Sequence, residues 1–153
     1  MTSFAKEEIP AGDLVSRHVD SPDKWLPEER IFVELRLFMF QRPEEVESVV
    51  WRKYAPLLSD VHTLGCDRQK VRREDKPHWT YEGAITATVA DIREIQTPFG
   101  DGFEVLHDPD EGVHHAHIKY RLAQVQDGLR QRKLDLKERL RKSFGALDSH
   151  ACT

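Results

Sequence analysis

The segment that most constrains this chain is its last periodic one. From about 121 to 147, Leu122, Val125, Leu129, Leu136, Leu140, Phe144 and Leu147 recur at helical spacing with no proline among them. Residues three and four apart share one face of an α-helix, so the pattern predicts a long amphipathic helix with one side to bury. Gly128 costs about 1 kcal/mol relative to Ala without ending such a helix. Gly145 is a natural stop. A chain of 153 residues is large enough to build a core for that helix without a metal or disulfide staple.

Other segments supply strands. Between 30 and 40, Ile31, Val33, Leu35, Leu37 and Met39 alternate with Phe32, Glu34, Arg36, Phe38 and Phe40, which predicts a strand, with a helix as the competing reading. Pro43, Glu44 and Glu45 resemble a helix start, and Val46, Val49, Val50, Tyr54, Leu57 and Leu58 follow a helical stripe, so a helix is expected near 44–55. Residues 65–78 are polar and basic and read as a loop. A strand is expected over 81–88, then a short helix capped by Thr88 with Asp91 at its third position. Phe103–His107 and Val113–Tyr120 read as a hairpin about the turn-forming residues Asp108-Pro109-Asp110-Glu111-Gly112.

These elements predict an α+β fold: a small antiparallel sheet covered on one face by two main helices, the longer at the C-terminus. Residues 1–26 read as an irregular lead-in, 27–147 as one domain and 148–153 as a frayed tail. Cys66 and Cys152 have no motif spacing, which predicts free thiols and a cytoplasmic setting. No apolar run is long enough for a bilayer, and Lys6, Glu7 and Glu8 sit where a signal peptide would be apolar. No membrane partner is expected.

Two polar features carry candidate chemistry. His107, His114, His115 and His117 fall within eleven residues. If 108–112 is the loop, His107 pairs with Val113, and alternation puts His107, His115 and His117 on one face. Three imidazoles there would suit a divalent transition metal and metal-assisted chemistry. The competing reading is a hydrated surface, because no HExxH motif or cysteine ligand supports a site. His114 would face the core.

The second feature is positive charge. Nine basic residues stand against three acidic ones between Lys119 and Lys142, on a chain whose net charge is −4. A second cluster, Arg68, Lys70, Arg72, Arg73 and Lys76, sits in the expected 67–76 loop. Arg68, Lys70, Arg72 and Arg73 with Arg130, Arg132, Lys133 and Arg139 would offer phosphate contacts to a nucleic acid, with Trp79 or Tyr81 for base stacking. Ordinary i, i+4 ion pairs on a solvated helix face are the alternative. No RRM, KH, homeodomain or zinc-finger signature accompanies them.

Three functional classes follow. The leading one is a non-enzymatic interaction module whose C-terminal helix binds a protein partner or a second copy through Leu136, Leu140 and Phe144. The others are a metal-dependent enzyme using His107, His115 and His117, and a nucleic-acid-binding protein.

Overall fold

The computed structural model describes residues 5–153. In chain order its elements are β1 (Leu14–Ser21), β2 (Trp25–Leu26), β3 (Ile31–Phe32), α1 (Glu34–Leu37), β4 (Val46–Trp51), α2 (Leu58–Arg72), β5 (Thr80–Thr88), α3 (Val89–Arg93), β6 (Gly102–His107), β7 (His115–Arg121), α4 (Leu129–Ser143) and β8 (Asp148–Ser149). A 3-10 turn spans Pro109–Glu111. The fold is α+β, with a six-stranded antiparallel sheet in the order β6-β7-β4-β1-β5-β8. A separate two-stranded ribbon joins β2 and β3. No described helix is long and apolar enough to cross a membrane.

The central strand β1 lies inside the expected irregular lead-in. Its inward positions hide it from hydropathy: Ser16, Arg17, His18 and Asp20 are buried beside Val15 and Val19. Register then dictates the faces. Val15, Val19, Val49, Trp51, Ile85, Ala87, Ala116, Ile118 and Tyr120 point into the large apolar cluster, which α4 closes with Leu136, Leu140 and Phe144. Each fully buried leucine there contributes roughly 1.5–3 kcal/mol. The opposite face holds a smaller cluster, Val50, Ala55, Val61 and Ala84, and α2 packs on it.

Several expected elements change identity. Within 44–55 the chain forms strand β4 and its flanking turns, not a helix. The strand period puts Glu47, Val49 and Trp51 on the core side and Ser48 on the other, and pairing with β1 and β7 overrides the helical stripe. Residues 30–40 are not a long strand. Arg30 and Phe40 have positive φ, and the Glu47 carboxylate accepts from the Met39 and Phe40 amides at 2.7 and 2.6 Å, folding the segment over the core edge.

The expected 67–76 loop is mostly helix α2, which also contains Gly65. A Cβ at Gly65 would sit 2.4 Å from the Tyr81 ring, so this glycine lets α2 approach β5. Helix α4 begins only after Gly128, whose φ of +68° breaks the stripe. The expected β5 and the Thr88 cap are present, with Thr88 Oγ1 accepting from the Asp91 amide at 3.1 Å. The tail carries β8, and Cys66 and Cys152 form a disulfide instead of free thiols. Return of the tail along β5 brings Cys152 to α2.

Candidate functional site

The groove between α2 and the sheet gathers the most polar chemistry. From β1 come Ser16 and His18, from β4 Ser48, Val49 and Val50, from α2 Leu64, Asp67, Arg68, Val71 and Arg72, and from the β6–β7 hairpin Glu111, His114 and His115. Together they line a cavity of about 470 Å³. His18 is fixed by donating from Nε2 to the Val61 carbonyl at 2.9 Å. Its burial, reinforced by Arg68 and Arg17, pushes its pKa down to about 3, so the ring is neutral. His114, half-buried at the groove's far wall, is also held below the ordinary imidazole range by burial and by His115.

Arg68 and Arg72 reach a second cavity of about 370 Å³, around the end of β1. Arg17, Lys24, Arg36, Arg68, Arg72 and Lys76 line it against Asp20, Asp23 and Glu47. The carboxylates already have partners: Glu47 with Arg17 at 2.5 Å, Asp20 with Lys24 at 2.8 Å, and Asp23 with Arg36 at 3.8 Å. Among the described residues, Arg68, Arg72 and Lys76 have no carboxylate within ion-pair distance. Arg68 only lies over the Trp79 ring, 5.8 Å from its centroid. Burial and the nearby Arg17 and Arg72 push the Arg68 guanidinium below its ordinary range. Two buried atoms on this cavity's lining residues, Arg17 Nε and Asp20 Oδ2, also lack hydrogen-bond partners among the described residues.

The hairpin histidines divide between faces. His107 pairs with Ala116, three residues beyond the expected Val113. An odd shift exchanges faces. His107 is therefore buried against Trp51, accepting from the Glu7 amide at Nδ1 and donating to the Val113 carbonyl from Nε2. It cannot join His115 and His117 at a metal. Those two remain together beside Asp108, with its Oδ2 3.4 and 3.7 Å from their Nδ1 atoms. They line a third cavity of about 510 Å³ with Glu44, Ser48 and Glu111. Among the described residues, no three histidine, cysteine, aspartate or glutamate side chains are placed to hold a metal ion.

Ser48 and His115 line both the first and third cavities. His115 Nδ1 is 3.2 Å from the Asp108 carbonyl oxygen, and Nε2 is 3.0 Å from Ser48 Oγ. Since Nδ1 faces acceptors, it carries the hydrogen, and Nε2 accepts from the serine hydroxyl.

The remaining expected residues are dispersed. Leu136, Leu140 and Phe144 are buried in the chain's own core and present no surface to a partner. Arg132 is buried, donating from Nε and Nη2 to both Asp101 oxygens at 2.9 and 3.0 Å, and it holds that carboxyl well below the usual range. Lys133 pairs with Glu45 and Arg139 with Asp135. Arg130 and Lys70 are exposed. Arg73 donates to the Trp79 carbonyl and to Thr80. Trp79 and Tyr81 are buried and cannot stack on bases. The basic residues of α2 and α4 thus lie on opposite faces of the sheet. Sequence reasoning missed Ser16, Arg17, His18, Asp20 and Ser48. The Val15 and Val19 pair, flanking alternate polar positions, was the available signal for β1. Comparison with protein-family models, characterised proteins and solved structures returns no match.

Proposed function

We propose that this chain binds a small ligand bearing a phosphate or carboxylate group in the groove between α2 and the sheet. The observation that carries the reading is the pair Arg68 and Arg72. They line two adjoining cavities and have no carboxylate partner among the described residues, although every acidic side chain of the second cavity is paired. Arg68 is partly desolvated and lies near Arg17 and Arg72, and an incoming anion would offset that repulsion. Ser16, Ser48, His114 and His115 would contact the polar part of a ligand, and Val50, Leu64 and Val71 its apolar part.

The nucleic-acid reading shares Arg68 and Arg72 but needs a continuous basic surface, and the α4 cations lie on the other side of the sheet. The partner-binding reading loses support because Leu136, Leu140 and Phe144 are enclosed. Calorimetric titration with orthophosphate and with citrate tests the anion groove. Replacing Arg68 and Arg72 together by Gln should weaken binding at least about tenfold, as expected for losing charge-assisted hydrogen bonds. Replacing Lys133 and Arg139 should not alter it. Equal losses in the two pairs of variants would refute the groove.

A further inference from the structure

We infer that Ser48, His115 and Asp108 form a hydrolytic relay at the mouth of this groove, acting on esters whose acyl part carries an anionic group. The substrate class rests on the anion-binding reading above; the relay rests on its own geometry. Ser48 lies in the middle of β4, exposed and on the side away from the core. In the β4–β7 ladder Ser48 faces His117, and Val50 faces His115. His115 is therefore the diagonal neighbour of Ser48 on the same face.

The hydrogen bonds run in one direction. His115 Nδ1 donates to the Asp108 carbonyl oxygen at 3.2 Å, and the Asp108 carboxylate lies beside the same ring, Oδ2 3.4 Å from Nδ1. That leaves Nε2 bare toward Ser48 Oγ at 3.0 Å. A nucleophile, a base within reach and a third group orienting the base is the arrangement that activates a hydroxyl. The frame is fixed by backbone bonds: the Asp108 amide donates to the His115 carbonyl, and the His115 amide to the Gly112 carbonyl, both at 2.9 Å. The pair sits between two cavities, one of them lined by Arg68 and Arg72, whose charge suits a substrate anion.

The reaction balances without a cofactor. Ser48 Oγ forms a bond to the ester carbonyl carbon as its proton passes to His115 Nε2. The tetrahedral intermediate collapses by breaking the carbon–oxygen bond to the alcohol, which leaves with that proton. Water then attacks the acyl-serine, giving a proton to Nε2. Release of the carboxylic acid returns the proton to Ser48 Oγ.

The test uses the full chain, a fluorophosphonate probe with peptide mapping, and two substrates, p-nitrophenyl acetate and p-nitrophenyl hemisuccinate. One adduct per chain is expected, at Ser48. Ser48→Ala should lose it entirely, and His115→Ala should slow it at least about 100-fold, the scale of a removed general base. Because Ser48 is exposed, its variant carries the test even if His115→Ala folds poorly. Asp108→Asn should lower kcat about tenfold with KM unmoved, because the backbone carbonyl still holds Nδ1. Hemisuccinate should show the higher kcat/KM. No adduct, or an adduct on another residue, overturns the relay even if orthophosphate binds. An adduct at Ser48 with equal kcat/KM for both esters overturns the substrate class, and with it the groove's role, while the relay stands.

Discussion

The sheet face under α4 and the face under α2 are made from the same strands and treat polar groups in opposite ways. Under α4, 22 buried residues form one apolar cluster, and the nearby charges are closed off, as in the two-pronged Asp101–Arg132 pair. Under α2, among the described residues, four buried residues form the apolar cluster, and neutral His18, Ser16 and two arginines with no carboxylate partner share the space with open cavities. One face holds the fold together. The other keeps chemistry that packing alone does not require, which is where sites are expected.

Stability measurements can break this comparison. Leu140→Ala should cost about 3–5 kcal/mol, since the side chain is fully buried and its cavity cannot collapse. Leu64→Ala, half-buried against the small cluster, should cost less than about 2 kcal/mol in the same urea titration. Equal costs would mean that both faces are core.

The disulfide comes next. Cys66 and Cys152 are 86 residues apart, so closing that loop restricts the unfolded chain. Replacing both by Ala should lower stability by about 2–4 kcal/mol. The tail is also held by His62, which lies 2.7 Å from the Tyr81 hydroxyl and 2.6 Å from Asp148. Loss of the bridge should therefore raise amide exchange in β8 and α2 and leave α4 unchanged. Increased exchange in α4 would show that the two faces are one cooperative unit.

Acid should act mainly on the α2 face. His18 has a folded pKa of about 3 against 6.5 for a free imidazole. Above about 6.5 the ring is neutral in both states and contributes no slope. Between about 6.5 and 3 the unfolded chain binds a proton that the folded chain refuses, so stability falls as pH drops. His18→Gln should flatten that part of the stability–pH curve. His114 and His117, lowered in the same direction, would leave a residual slope. An unchanged slope would place the sensitivity elsewhere.

The core face was more legible in the sequence than the groove face. The stripe through Leu136, Leu140 and Phe144 marks a helix because nothing competes with its periodicity. β5 was legible from a weak alternation, and the Thr88 cap from the spacing of Thr88 and Asp91. β1 was not, because its buried positions are Ser16, Arg17, His18 and Asp20, and a strand that buries polar groups has no hydropathy signature. β4 was misread because Val46, Val49 and Val50 satisfy two periods, and only pairing decides between them. The histidine site failed on register alone: moving the partner of His107 from Val113 to Ala116 turns that ring into the core. What remained, His115 beside Ser48, needed the β4–β7 ladder, which joins residues 67 apart in sequence.

The most direct test of the contrast between the two faces is an amide and side-chain NMR titration of the intact chain with orthophosphate. Saturable shifts should gather on Arg68, Arg72, His18 and His114, and α4 should stay silent. Shifts centred on Arg130, Lys133 and Arg139, or none at any residue of the groove, would contradict the assignment of the α2 face as the binding site.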